Sequence, residues 1–116
     1  MAAQTYNFTI EQGATFSLTF RWKDTAGNII NLSGFTARAQ FRYAKLDDEI
    51  LLSMTTENGR IILGGAAGTI QILLDAATTA AIDWTAARYD IELVNAGGVV
   101  TRLVEGKVKV SNEVTR

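Results

Sequence analysis

Hydrophobic positions along this chain recur with a period of two, the pattern of strands that bury one face and wet the other. Tyr6, Phe8 and Ile10 alternate with Thr5, Asn7, Thr9 and Glu11. After Gln12-Gly13, a stronger run places Phe16, Leu18, Phe20 and Trp22 on one face against Thr15, Ser17, Thr19, Arg21 and Lys23 on the other. Asp24-Thr25-Ala26-Gly27-Asn28 carries turn chemistry, since Gly and Asn tolerate positive φ, and predicts a hairpin returning through Ile29 and Ile30. Asn31-Leu32-Ser33-Gly34 is a further turn cluster. Phe35, Ala37, Ala39, Phe41 and Tyr43 then alternate with Thr36, Arg38, Gln40 and Arg42. The two inward alanines predict close approach of a facing sheet or a large ring.

The charged stretch from Ala44 to Glu49 breaks the alternation, and Ile50, Leu52 and Met54 restore it. Asn58-Gly59 is a two-residue turn signal with strands expected on both sides, the second running from Arg60 to Leu63. Gly64-Gly65-Ala66-Ala67-Gly68 separates it from the strand of Ile70, Ile72 and Leu74. Only one segment has helical character: Asp75 is placed to cap Ala76 to Ile82, about two turns that packing through Ile82 and Trp84 must hold. Strand alternation resumes with Tyr89, Ile91 and Leu93 inward and Arg88, Asp90 and Glu92 outward. Asn95-Ala96-Gly97-Gly98 predicts a last hairpin turn into Val99 to Val104, and Gly106 a bulge or kink before Val108 and Val110. Eight or nine short strands with regular turns make an all-β protein, either a sandwich or a barrel. The hairpin order and the single helical crossover near residues 75–82 favour an immunoglobulin-like antiparallel β-sandwich of about eight strands.

Length bounds this to a single domain over residues 1–116, large enough to bury about 65% of its unfolded surface without staples. The chain has no Pro, so its turns rely on Gly, Asn and Asp. With no Cys there is no disulfide and no thiolate site, and with no His the commonest general base and metal ligand are both missing. Ser-His-Asp and Cys-His catalysis are therefore excluded. A formal charge of −1 offers no broad attraction to nucleic acid or to an anionic membrane. Met1-Ala2-Ala3-Gln4 begins no signal peptide, and no apolar run approaches a membrane span, so synthesis in a cytoplasm is expected.

Candidate chemistry is sparse. Gly64 to Gly68 is followed by a strand rather than a helix, which makes it a hairpin loop and not a phosphate cradle. Asp47-Asp48-Glu49 lacks the alternate spacing of a calcium loop and stands beside Lys45, as a solvated loop would. Asp75, Asp83, Asp90, Glu92 and Glu105 are the carboxylates available for acid–base work, each with a simpler role as a cap or an outward strand charge. Arg38, Gln40 and Arg42 form a basic outward stripe and Lys107 and Lys109 another, with Asp90 and Glu92 as expected ion-pair partners. Trp22, at a strand end, and Trp84, after the helix, are expected to pack at the rim of the core, and are the rings that a glycan or a partner protein would meet if exposed. The sequons Asn7-Phe8-Thr9 and Asn31-Leu32-Ser33 are chance matches in a chain without a secretory signal.

The order of features resembles a known family. Phe8-Thr9-Ile10-Glu11-Gln12-Gly13-Ala14-Thr15-Phe16 is similar to the start of small tailed-phage virion proteins. The same holds for Asn31-Leu32-Ser33-Gly34-Phe35-Thr36-Ala37-Arg38, Gly68-Thr69-Ile70 and Arg88-Tyr89-Asp90-Ile91-Glu92-Leu93. It holds again for the ending, Leu103-Val104-Glu105-Gly106 and Val108 through Arg116. The chain resembles the N-terminal β-sandwich domain of phage baseplate upper proteins, without their downstream receptor-binding segment. The resemblance implies a non-enzymatic structural component of a tailed-phage particle, in the tail, baseplate or neck, made in the bacterial host and resident in the virion. Its partners would be other virion proteins and copies of itself, or copies arranged by a symmetric partner, with no cofactor, metal, nucleic acid or membrane. Trp22, Arg38, Arg42, Trp84, Glu113, Val114 and Arg116 are the candidate contact residues. An edge strand or the Ser111–Arg116 segment is expected to pair with a neighbour by strand addition. The alternative function is a carbohydrate-binding module contacting host surface glycans through Trp84 or Trp22.

Overall fold

A computed structural model describes residues 3–44 and 48–114; Lys45 and Asp47 of the charged loop, and Arg116, lie outside the described residues. The strands are β1 (Gln4–Thr5), β2 (Phe8–Glu11), β3 (Phe16–Arg21), β4 (Thr36–Arg42) and β5 (Leu52–Thr55). They continue with β6 (Ile61–Leu63), β7 (Thr69–Leu74), β8 (Ala86–Val94) and β9 (Val100–Ser111), with the helix α1 (Ala76–Ala80) between β7 and β8. One six-stranded sheet has the order β1-β9-β8-β4-β5, with β2 following β1 along the same flank of β9; the other sheet is β3-β7-β6. Two sheets, about nine strands and one short helix make an immunoglobulin-like sandwich.

The inward set follows the alternation. Ala37, Ala39 and Phe41 of β4, Ile70, Ile72 and Leu74 of β7, and Tyr89, Ile91 and Leu93 of β8 are all buried, in one continuous core. An aromatic network joins the sheets where a disulfide has no cysteines to form. Phe8 of β2 stacks on Phe16 of β3 with ring centroids 5.3 Å apart and meets Tyr89 edge-on at 4.9 Å. Phe41 meets Trp84 edge-on at 5.7 Å and Tyr89 at 6.1 Å. Such pairs add to the area they bury through the ring quadrupole, roughly 0.5–1.5 kcal/mol each.

Several local expectations change once the pairing is known. The edge at β1 and β2 is parallel, not antiparallel: every residue from Gln4 to Thr5 and from Phe8 to Glu11 faces the residue 100 positions later in β9. The Asp24–Asn28 turn closes only an isolated bridge, Lys23 to Ile29, and the strand that pairs with β3 is β7. Asn58-Gly59 is a corner between sheets and not a hairpin, since β5 pairs with β4 while β6 pairs with β7. Asn58 builds that corner, its Oδ1 accepting from the Thr55 and Arg60 amides at 3.0 Å. Leu32, inside a predicted turn, is buried in the core.

Gly106 marks no bulge. The bulge falls at Leu103, because Ile91 faces Val104 while Glu92 faces Arg102. That extra residue switches which parity of β9 faces inward, so Val104, Val108 and Val110 are buried together. Gly106 is instead the point where the N-terminal strand crosses closest, since a Cβ there would collide with the Tyr6 carbonyl and the Asn7 side chain. Between β1 and β2 the ladder is continued by a side chain, Asn7 Oδ1 accepting from the Lys107 amide at 2.9 Å. The buried Tyr89 hydroxyl donates to the Tyr6 carbonyl at 2.6 Å.

At the opposite end, the short helix is held as its composition requires. Asp75 caps it by accepting from the Thr78 amide at 2.8 Å; hydrogen bonding from the Thr78 side chain, then from its amide, keeps the carboxyl below its ordinary pKa, and Ile82 and Trp84 after the helix are buried. The fully buried Thr79 hydroxyl donates to the Ala14 carbonyl at 2.8 Å and accepts from the Gly13 amide at 3.0 Å. Gln12 bridges the same region, Nε2 donating to the Ile82 carbonyl and Oε1 accepting from the Glu113 amide. The C-terminal segment is therefore no free appendage: Ser111 ends β9 opposite Glu11, and Glu113 packs over Gly13.

Two outcomes follow from these contacts. Gly106→Ala should lower unfolding stability by about 1–3 kcal/mol in urea titration, because the added methyl meets backbone rather than a movable side chain. Burial, reinforced by Tyr6, pushes the Tyr89 phenol above its ordinary pKa of 10.0. The folded state thus holds a proton that the unfolded chain releases, so stability is intact below pH 10 and declines as pH rises beyond it. Tyr89→Phe should cost about 1 kcal/mol at pH 7 and show a shallower alkaline decline than the parent protein, read by unfolding at stepped pH.

Candidate protein-contact surfaces

The outer face of the larger sheet carries most of the organised charge. Residues of β4, β8 and β9 that alternate with the core stand side by side there, and strand register sets them in rows. In one row Arg42 of β4 lies opposite Arg88 of β8, which lies opposite Lys107 of β9. The next places Gln40 opposite Asp90 and Asp90 opposite Glu105. A third places Arg38 opposite Glu92 and Glu92 opposite Arg102. The face is therefore banded: three cations, then two carboxylates, then a mixed row.

Ion pairs tie the last two bands together. Arg38 Nε lies 2.8 Å from Glu92 Oε1, and Arg102 reaches Asp90 at 3.4 Å and Glu105 at 3.9 Å. Arg42 donates to Gln40 Oε1 at 2.7 Å. A groove of about 400 Å³ runs between the bands, lined by Gln40, Arg42, Arg88, Asp90, Glu92 and Arg102. Arg102 lies within ion-pair reach of both Asp90 and Glu105, and Arg38 of Glu92, so each of these carboxylates has an arginine beside it. Among the described residues no group of three or more Asp or Glu is placed to hold a metal ion.

The candidate contact residues are scattered. Arg38 and Arg42 share the banded face. Trp22 is half-buried, its ring edge-on to Phe35 at 6.2 Å, at the end of the sandwich where β3 leaves its sheet. Trp84 is withdrawn as a surface ring: at 5% exposure it is a core residue against Phe41. Of the two rings named for the carbohydrate alternative, burial removes Trp84 and leaves the half-buried Trp22, since sugar stacking takes an open ring face. Glu113 is engaged by Gly13 and Gln12, whereas Val114 is 92% exposed. Both sequon asparagines are occupied locally, Asn7 by the Lys107 amide and Asn31 by the Ser33 amide. Gly64 to Gly68 forms a 3₁₀ turn within the β6–β7 hairpin.

Alignment of Arg88 and Lys107 with Arg42 was not legible in the chain, because the three lie far apart in sequence and only register joins them.

The class that this topology defines is the immunoglobulin-like sandwich. A solved structure with the same fold is the extracellular domain of the voltage-gated sodium channel β4 subunit, at a TM-score of 0.54 and 13% identity, over 98% of this chain and 97% of that one. At that identity the likeness is one of fold. No protein-family model matches the chain, and no curated protein matches it in sequence.

Like charges directly opposite on adjacent strands oppose folding. Arg88→Glu would place a carboxylate between Arg42 and Lys107, and is expected to raise stability by roughly 0.2–1 kcal/mol, measured by chemical denaturation.

Proposed function

We propose that this chain is a non-enzymatic structural component of a tailed-phage particle, an adaptor or decoration protein of the tail, baseplate or neck that works through protein–protein contacts. The phage assignment rests on the resemblance of the strand-and-turn segments to virion proteins. The contact role rests on one observation, the row of Arg42, Arg88 and Lys107 across three strands. Register sets the three cations in one line across adjacent strands, which presents a continuous positive row to a partner. The partner surface they fit is acidic, and the adjoining carboxylate band sets the register in which it docks. Other sandwiches of this fold work by contact: structures of the sodium channel β4 extracellular domain are parallel homodimers that explain its role in cell–cell adhesion.

The reading is tested in particles of a phage that encodes the chain. Virions assembled with the parent protein should contain it in a fixed copy number by quantitative mass spectrometry. Arg42→Glu combined with Arg88→Glu should reduce incorporation at least tenfold while leaving the purified protein folded. Particles that lack the parent protein altogether would reject the virion role. Unchanged incorporation of the double variant would reject the banded face as the attachment surface.

A further inference from the structure

The smaller sheet ends on an uncovered strand. β3 pairs with β7 on one side, and among the described residues no strand pairs with its other side. The direction of its hydrogen bonds follows from register: the Trp22 amide donates to Gly68, so even-numbered residues of β3 point their backbone groups at β7. Ser17, Thr19 and Arg21 therefore present their N–H and C=O groups to the open side. At six residues, β3 is longer than the other outer strands, β1, β2, β5 and β6, which have two, four, four and three. It contains no Pro and no bulge to discourage pairing.

Its inward side chains are also incompletely covered. Phe16, Leu18 and Phe20 are only half-buried, whereas Ile70, Ile72 and Leu74 beside them on β7 are fully enclosed. Tyr6 lies edge-on to Phe20 at 5.4 Å and remains 45% exposed. Along this flank the two sheets part, and a crevice of about 290 Å³ opens between Phe20 and Trp22 on one side and Leu103 and Val104 on the other. The flank thus combines unpaired backbone with an apolar margin.

We infer that this edge is a self-association surface, where β3 of a second copy of this chain pairs antiparallel across a two-fold axis and joins the two three-stranded sheets into one of six. The inference rests on the proposed role in a symmetric assembly and names the surface that the role would use. Two features select a second copy as the occupant. The first is parity: an antiparallel partner must bring outward-bonding residues opposite outward-bonding residues and apolar opposite apolar. A second β3 does so when the axis passes at Leu18, pairing Ser17 with Thr19 of the other copy, or at Thr19, pairing Ser17 with Arg21. The second is charge. The C-terminal end of the strand carries Arg21 and Lys23, while Glu11 and the Glu113 carboxylate over Gly13 flank its N-terminal end. Antiparallel pairing carries the basic end of each copy to the acidic flank of the other and keeps like charges apart.

The test is the solution mass of the full chain by light scattering across a hundredfold concentration range, with two variants. Thr19→Pro removes an outward N–H and leaves the bonds to β7 intact, so it should weaken the dimer at least about thirtyfold, two hydrogen bonds being lost by symmetry, while circular dichroism stays that of the folded protein. The chain has no cysteine, so Thr19→Cys and Ser17→Cys report the pairing directly. Oxidation should link Thr19→Cys to itself if the axis is at Thr19, or a mixture of the two variants if it is at Leu18, with no linkage in denaturant. If Thr19→Pro fails to fold, the cross-links decide. A strict monomer without cross-links overturns the inference and leaves the virion reading to the particle experiment. A dimer indifferent to Thr19→Pro and without cross-links places self-association elsewhere and equally overturns it.

Discussion

The contact between Phe8 and Phe16 is where the aromatic network of this structure crosses from one sheet to the other. It is where β2, belonging to the larger sheet, touches β3 of the smaller one, and Tyr89, Phe41 and Trp84 extend the same network across the interior. Sandwiches of this class are often clamped by a disulfide between sheets. Without cysteine, the two layers must be held by burial and ring geometry alone, a non-directional force made specific by edge-on packing. Ala37 and Ala39 fit that arrangement, since their small side chains leave room between the sheets beside the rings of Phe41 and Tyr89. Helix α1 belongs to it too, since its buried Thr79 hydroxyl ties it to the turn that leads from β2 into β3.

A second constraint fixes the chain ends. The N-terminal strand runs parallel to β9 in a single register, with a short interruption that Asn7 bridges with its side chain and Gly106 accommodates by having none. Parallel neighbours need a long crossover, and here the rest of the domain supplies it. The Tyr89 hydroxyl donates to the Tyr6 carbonyl between β1 and β2, so the aromatic core is bonded directly to the terminal pairing. Gln12 and Glu113 then close the last open backbone groups of the strand ends. These pins explain why the C-terminal segment through Glu113 is part of the fold.

What the core and the ends establish, the outer surfaces put to different uses. On the larger sheet, the outward positions of β4, β8 and β9 assemble charges into bands. On the smaller sheet, the outward groups of β3 are backbone, and their neighbours are apolar. A charged face sets orientation and partner choice, whereas a strand edge supplies directional bonds with little sequence preference. Both surfaces are built from strands rather than loops.

Much of the fold was legible in the sequence because alternation is local: a side chain two residues away on an extended chain points the same way whatever the strand later pairs with. That is why the core of β4, β7 and β8, the Asp75 cap, the burial of Ile82 and the turns at Asn95 and Asn58 could be read from residue order. Partnership is not local. The sequence at Asn58-Gly59 suits a hairpin and a sheet-to-sheet corner equally, and only the competition for β7 decides between them. The bulge at Leu103, the close approach at Gly106 and the row of Arg42, Arg88 and Lys107 all depend on which residue stands opposite which across gaps of about twenty to a hundred positions. Side-chain periodicity determined the faces of this protein; register, set by packing the two sheets around their aromatic contacts, determined the surfaces those faces became.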